Sequence, residues 1–104
     1  MDDPIQYWNE QAGPKWVALQ AQLDRVMDPL GRKVMELAQP RSGEHVLDVG
    51  CGCGSTSVEL LQHVAPSGSV TGLDVSAPML EHARGRATGP QWILADAAAH
   101  AFPT

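Results

Sequence analysis

Three glycines at alternate positions, Gly50, Gly52 and Gly54, follow a short apolar segment in the 104-residue chain. The apolar segment, residues 46–49, is typical of a buried strand, and the residues from Ser55 onward are typical of a helix start. Glycine has no Cβ atom, so it tolerates positive φ in a tight turn and allows a ligand to touch the main chain. We therefore predict a strand-to-helix turn in which a ligand lies against the backbone of Gly50 and Gly52. Gly54 would permit close packing of the helix on the strand.

An aspartate lies at or next to the end of each of three predicted strands: Asp48, Asp74 and Asp96. Helical patterns separate these strands, and the alternation predicts an α/β fold with a parallel sheet and right-handed crossovers. Ligands on such sheets collect at the carboxyl ends of the strands, where the three acids are expected. The elements predicted after the first strand are a helix at 55–65, a strand at 69–74, a helix that starts after Ser76, and a strand at 91–95.

The chain before the first strand is predicted to be helical. Apolar residues recur at spacings of three and four between residues 16 and 30, as on the buried face of an amphipathic helix. Asp28 and Pro29 interrupt this pattern, because Asp is a good N-cap and Pro fits the first helical position. A second helix is therefore predicted from Pro29 to residue 37 or 38, with Val34 and Leu37 on its buried face. The chain divides into a helical leader, residues 1–40, and an α/β part, residues 41–104.

The composition argues against several kinds of partner. With 12 acidic and 7 basic residues the net charge is -5, and the chain has no basic stripe of the kind that binds nucleic acid. No apolar run approaches the roughly 20 residues of a membrane span, and the acidic N-terminus is unlike a signal peptide, so we expect a cytoplasmic protein. Cys51 and Cys53 are separated by one glycine and have no second pair to complete four ligands, so no metal site is predicted.

The spacing of the glycines bears on the kind of ligand. The dinucleotide fingerprint Gly-x-Gly-x-x-Gly would require glycine at the position that Ser55 occupies, so the fit to a nicotinamide or flavin site is partial. The pattern from Asp48 to Gly54 instead resembles the first motif of class I S-adenosylmethionine-dependent methyltransferases, whose loop faces an amino-acid moiety. Asp74 lies 20 residues beyond Gly54, where a ribose-binding acid is expected in either fold.

The resemblance extends beyond that motif. Residues 46–54, 72–80 and 95–97 look like the first three motifs of the methyltransferases related to ubiquinone and menaquinone biosynthesis enzymes, in order and at suitable spacings. It implies a Rossmann-like parallel sheet of which this chain holds three strands in the order 3-2-1. The leader, residues 1–40, resembles the N-terminal helical cap of that family, and residues 41–104 resemble the N-terminal half of its cofactor-binding domain.

The cofactor implied by the resemblance is S-adenosylmethionine. Gly50, Cys51 and Gly52 would lie against its methionine part, and Asp48 near its ammonium group, which a carboxylate attracts. Asp48 could alternatively cap the turn that follows it. The acceptor implied is a small molecule, and no catalytic residue is assigned, because the sulfonium already makes the methyl group electrophilic and the protein mainly has to align the reactants.

The same resemblance assigns the nucleoside part of the cofactor. Asp74 would accept hydrogen bonds from the ribose hydroxyls, and Val75 and Met79 would pack on the adenine. Asp96 would accept from the exocyclic amine of adenine, and the Ala97 N–H would donate to a ring nitrogen. Each residue also has a plainer interpretation, since the two acids could be polar strand ends and Met79 could belong to the core.

Two other functions and one structural expectation accompany this interpretation. The chain could be a non-catalytic module that binds S-adenosylmethionine or a related nucleoside, or a nicotinamide-binding Rossmann fragment. The methyltransferase sheet continues beyond three strands, so the first strand is expected to have an unpaired apolar edge. We therefore expect the chain alone to be inactive, and either to self-associate or to require a C-terminal half supplied through that edge.

Overall fold

The computed structural model describes residues 3–102, so the outer ends of the predicted leader and α/β part, residues 1–2 and 103–104, lie outside the described residues. Helices and strands follow one another in the order α1 Pro4–Glu10, α2 Ala12–Ala18, α3 Gln20–Ala38, β1 His45–Val49, α4 Ser55–Val64, β2 Ser69–Asp74, α5 Ala77–Arg86 and β3 Gln91–Leu94. The α/β part therefore has the elements that the sequence predicts, with ends that differ by one residue in places.

The three strands form one parallel sheet in the order β1-β2-β3. Val46 is opposite Val70 across the first pair of strands, and Gly72 is opposite Trp92 across the second. The predicted α/β fold and the order 3-2-1 are confirmed. Because all strands run the same way, their carboxyl ends meet at one edge of the sheet, and the turns after β1, β2 and β3 lie next to each other there.

One face of the sheet is covered by helices and carries the core. Met35 of α3 and Leu60 and Val64 of α4 pack with Val70, and Val46 borders this cluster. Further along the same face, the Trp92 ring lies where side chains of two glycines would be: an added Cβ at Gly72 would be 2.7 Å from the ring, and one at Gly54 would be 2.5 Å from it. Both glycines thus make room for the indole, which donates from Nε1 to the Ala87 carbonyl at 3.0 Å.

The other face of β1 is open within residues 3–102. Leu47 is 44% exposed and Val49 is 56% exposed, although the sequence predicts a buried strand here. The strand itself is present, but successive side chains of a strand point to opposite faces, and α4 covers only the face that carries Val46. The prediction of a buried strand is wrong for these two side chains, because the described residues supply no second layer over them. Their exposure agrees with the expectation that a sheet of three strands leaves β1 partly uncovered.

The helical leader differs from its prediction in three ways. Residues 4–10 form a helix that was not predicted, with Asp3 as N-cap: its Oδ1 accepts from the Ile5 N–H at 2.9 Å. The first predicted helix, which starts near Trp16 and ends before Pro29, is divided at Leu19 into α2 and α3. The predicted break at Pro29 is wrong, because α3 continues through this residue and the Asp28 carboxylate pairs with Arg32 at 2.8 Å along the helix instead of capping a new one.

An apolar stripe of α3 is exposed to solvent among the described residues. Val26, Leu30, Val34 and Leu37 are between 48% and 75% exposed, whereas Met35 on a different side of the helix reaches the core. The spacing of these residues is that of a buried helix face, so the predicted burial of Val34 and Leu37 is wrong for the part of the chain that the structure describes. The amphipathic pattern itself is real, and its apolar side faces outward.

Candidate functional site

The glycine turn after β1 has the backbone conformation that its residues predict. Gly50, Gly52 and Gly54 have φ values of +73°, +56° and +89°, in the left-handed region where a side chain would be strained. The N–H groups of Gly50 and Cys51 both donate to the Leu73 carbonyl, at 2.7 and 3.1 Å, which fastens the turn to β2. Gly54 is the N-cap of α4, so the predicted strand-to-helix turn is confirmed.

Asp74, at the end of β2, joins two loops at the carboxyl edge of the sheet. Its Oδ2 accepts from the Gly52 N–H at 2.8 Å, and its Oδ1 accepts from the Ser76 N–H at 2.9 Å. Each oxygen of an ionised carboxylate has a second lone pair, so the half-buried side chain keeps the capacity to accept from a ligand. The sequence pointed to Asp74 as a ligand-binding acid and did not reveal that it also holds the glycine turn.

A cavity of about 580 Å³ opens between the turns at this edge. Eight of the nine residues that the sequence singles out line it: Gly50, Cys51, Gly52, Asp74, Val75, Met79, Asp96 and Ala97. The leader contributes the opposite wall through Trp8, Trp16, Asp24 and Met27. The structure therefore brings the three sequence motifs together around one space, and adds a wall of aromatic and apolar side chains that spacing alone could not place.

Asp48 is the ninth residue, and it is not among those that line the cavity. Its Oδ2 accepts from the Ser57 hydroxyl at 2.7 Å, so the carboxylate is directed at the first turn of α4. Burial raises the pKa of Asp48, the hydrogen bond from Ser57 opposes that shift, and the nearby charge of Asp74 adds to it. A contact between Asp48 and a ligand stays a prediction.

The two cysteines of the turn are buried and free. Burial raises the pKa of the Cys51 thiol to about 12, with the charges of Asp74 and Asp48 acting in the same direction, and burial also raises the pKa of Cys53. Both thiols are therefore neutral at pH 7 and serve as small lining groups, not as nucleophiles. Within residues 3–102, no three His, Cys, Asp or Glu side chains are grouped so that they could hold a metal ion.

The remaining predicted residues have defined surroundings. Met79 is buried, and its Cε lies 2.8 Å from the position of an added Cβ at Gly52. Its side chain therefore packs directly against the glycine turn. Asp96 accepts at Oδ1 from the Ala98 N–H at 2.9 Å, which shapes the turn after β3. None of the histidines is among the residues that line the cavity, and His82 instead contacts Gln20 at 3.1 Å.

Polar contacts attach both the leader and α5 to the glycine turn. Ser55, the first residue of α4, donates to Asp24 of α3 at 2.9 Å. Arg86 of α5 donates from Nη1 to the Cys53 carbonyl at 3.2 Å and to the Ser55 hydroxyl at 2.9 Å. Arg86 Nη2 lies 3.9 Å from the Asp24 carboxylate and offsets its charge, so Asp74 and Asp96 are the lining carboxylates that favour a ligand with positive charge.

A glycine turn after β1, an acid at the end of β2 and a cavity at the carboxyl edge of a parallel sheet define a Rossmann-like cofactor-binding fold. Residues 46–104 match the family model described as "Methyltransferase domain". This match covers more than half of the chain, which therefore belongs to the methyltransferase domain family. The family resemblance predicted from the three motifs is confirmed.

Two curated relatives and one solved structure illustrate the similarity. A nocamycin O-methyltransferase from Saccharothrix syringae is 38% identical over 80 residues, which make up 72% of this chain and 29% of that protein. A demethylmenaquinone methyltransferase from Listeria monocytogenes serotype 4a is 39% identical over 57 residues, 55% of this chain and 24% of the relative. The chain thus spans less than a third of either relative.

The solved structure is a magnesium protoporphyrin IX methyltransferase from Synechocystis PCC 6803 with bound SAH. It superposes on this chain with a TM-score of 0.66 at 22% identity, and the alignment covers 91% of this chain and 51% of that one. At this identity the likeness establishes the fold and nothing about the ligand. No helix among residues 3–102 has the length and apolarity that a membrane crossing requires.

Proposed function

We propose that the chain binds S-adenosylmethionine and belongs to an enzyme that transfers its methyl group to a small molecule. The observation that carries the proposal is the Asp74 carboxylate, which faces the cavity at the end of β2 while it holds the Gly52 N–H at 2.8 Å. Family membership and the names of the two relatives, both methyltransferases, support it. The alternative cofactor, a nicotinamide dinucleotide, has less support because Ser55 replaces the last glycine of its fingerprint.

The residues of the cavity fit this cofactor chemically. Gly50, Cys51 and Gly52 offer a surface without large side chains for the methionine part, and Asp74 offers carboxylate oxygens for ribose hydroxyls. We assign Val75, Met79, Asp96 and Ala97 to the adenine, and we leave Asp48 as a longer-range partner of the ammonium group, since its carboxylate is bonded to Ser57.

The bound cofactor would supply an electrophilic methyl group on a sulfonium. This chain would contribute binding, orientation and the exclusion of water, which is enough for a transfer whose barrier is lowered mainly by alignment. Trp8, Trp16 and Met27 provide an apolar wall on the leader side, where a small-molecule acceptor could be held. We assign no general base, because no histidine lines the cavity, both thiols are neutral at pH 7, and the lining carboxylates Asp24, Asp74 and Asp96 each accept hydrogen bonds from the chain itself.

Isothermal titration of the protein with S-adenosylmethionine, S-adenosylhomocysteine and NAD tests the cofactor assignment. We expect both sulfur nucleosides to bind and NAD to bind more weakly or not at all. A preference for NAD would overturn the proposal. Binding of the nucleosides by the intact protein without transfer to any small acceptor would favour the non-catalytic module.

We further propose that the outer edge of β1 pairs with another strand, from a second copy or from a C-terminal half of the domain. In residues 3–102 β1 is the end strand of the sheet, and Leu47 and Val49 beside it are largely exposed. An unpaired strand edge next to apolar side chains promotes pairing with another chain. Light scattering is expected to detect association of residues 1–104 expressed alone, and a stable monomer that methylates a small acceptor unaided would contradict the proposal.

The cytoplasmic location stays a prediction.

A further inference from the structure

Asn9, on the first helix of the leader, is bonded on both sides of its amide to the loop after β2. Its Nδ2 donates to the Val75 carbonyl at 2.7 Å, and its Oδ1 accepts from the Ala77 N–H at 2.8 Å. A second Nδ2 bond, to the Ile5 carbonyl at 2.8 Å, anchors the side chain to its own helix. All the donors of the amide thus have acceptors, so the orientation of the amide group is fixed by its partners.

Two further contacts press the leader on the same loop. The buried Ser76 hydroxyl donates to the Trp8 carbonyl at 2.8 Å. Gly13, at the start of α2, is buried so closely that an added Cβ would overlap the Trp8 carbonyl oxygen and lie 2.5 Å from Ser76 Oγ. The segment from α1 to the start of α2 is therefore seated on the loop between Asp74 and α5.

This loop is also the one that Asp74 holds. The Ser76 N–H donates to Asp74 Oδ1 and the Ser76 hydroxyl donates to the Trp8 carbonyl, so the same residue contacts both the acid and the leader. Trp8 and Trp16, whose ring centroids are 6.0 Å apart, face the cavity from the leader. Any movement of α1 away from the loop would withdraw Trp8 from the wall of the cavity and free the loop beside Asp74.

We propose that Asn9 is a positioning residue that fixes the leader helix on the β2–α5 loop and thereby closes the cavity over the cofactor. This inference rests on the proposed function, since it concerns the affinity of the same cavity. The Asn9 amide suits the role because its single terminal carbon carries a donor for the Val75 carbonyl and an acceptor for the Ala77 N–H. Binding of ligand and docking of the leader would be coupled, each favouring the other.

The test compares Asn9→Asp with Gln6→Ala. Asn9→Asp retains the acceptor for Ala77 but sets a carboxylate oxygen against the Val75 and Ile5 carbonyls, so α1 should detach. Gln6 lies on the same helix and bonds only along it, to Glu10 at 3.0 Å, so its replacement perturbs α1 without touching the loop. Hydrogen exchange of the α1 amides is measured with and without S-adenosylmethionine, together with the dissociation constant.

For Asn9→Asp we expect faster exchange in α1 and a dissociation constant about ten-fold higher, the size of effect that loss of one partly buried hydrogen bond gives. Gln6→Ala should leave the dissociation constant within about two-fold of wild type, as a surface change usually does. If Asn9→Asp does not fold, Asn9→Ala removes both loop bonds without adding charge and provides the same readouts.

Unchanged exchange in α1 of the Asn9 variant would overturn the docking role. Faster exchange, or a lower melting temperature, with an unchanged dissociation constant would show that Asn9 serves the fold alone, and would overturn its role in positioning. A wild-type protein that binds no S-adenosylmethionine would refute the proposed function and with it the coupling to this ligand, while the exchange data without ligand would still decide whether Asn9 docks the leader.

Discussion

Removal of the Asp74 carboxylate should lower both the affinity for S-adenosylmethionine and the stability of the fold. In Asp74→Ala the Gly52 N–H and the Ser76 N–H lose their acceptors, which lie at 2.8 and 2.9 Å. A hydrogen bond to a charged group contributes about 1.5 to 3 kcal/mol, but Asp74 is half-buried, so water can replace part of what is lost. We expect the free energy of unfolding to fall by about 1 to 3 kcal/mol, less than the sum for two such bonds.

The loss of affinity has two parts in this variant. The proposed contacts of the carboxylate with the ribose hydroxyls would be lost, which corresponds to a rise in the dissociation constant of about ten-fold to a hundred-fold. The glycine turn also loses the bond that holds Gly52, so part of the binding energy is spent on ordering the turn. The observed effect should therefore lie near the upper end of that range.

Glu44→Ala is the matched control for this experiment. Glu44 also accepts from a backbone N–H, that of Arg41 at 2.5 Å, but it lies just before β1, at the opposite end of the strand from the cavity. Urea denaturation reports stability, and titration under conditions where each variant is folded reports affinity. A folded Asp74→Ala protein with the wild-type dissociation constant would refute the assignment of Asp74 to the site, and an unchanged unfolding midpoint would refute its bracing role.

Three further changes test other parts of the fold. Gly52→Val should abolish binding and lower stability, because φ is +56° and the new Cβ would lie 2.8 Å from Met79 Cε; normal affinity by titration would contradict this. Burial raises the pKa of Asp48 in the folded protein above 3.8. The cost of burying its charge is therefore absent below pH 3.8, and the free energy of unfolding falls as the pH rises through the raised pKa. Asp48→Asn can still accept from Ser57, so its free energy of unfolding relative to wild type should rise between pH 3.5 and pH 7. If urea denaturation gives a difference between the two proteins that does not change with pH, the raised pKa is contradicted. Leu47→Lys, at a position that is 44% exposed and does not line the cavity, should change stability by less than about 0.5 kcal/mol yet reduce association in sedimentation, whereas unaltered association would exclude this side of β1 as the contact.

The sequence predicts correctly the part of the fold in which each element packs against the elements next to it in the chain. Strand, glycine turn and helix follow one another without interruption from His45 to Val64, and each boundary carries its own local signal. The helices of the leader were harder to predict. Asp28 and Pro29 do favour the start of a new helix locally, but α3 runs through both residues. Its segment after residue 29 is held in the helix by the burial of Met35 against α4, a contact that no local pattern contains.

The same distinction separates the predictable and unpredictable parts of the site. Motifs locate Asp74 at the end of a strand, but its bond to Gly52 spans 22 residues, and the bond of Asn9 to Val75 spans 66. A polar side chain such as Asn9 carries no sequence signal that identifies which distant loop it meets. It follows that loss of binding in an Asp74 variant does not by itself assign a ribose contact, since the bracing of Gly52 would produce the same sign. A double-mutant cycle that pairs Asp74→Ala with a cofactor analogue lacking the ribose hydroxyls separates the two roles, because the two losses of affinity are non-additive only if the carboxylate contacts those hydroxyls.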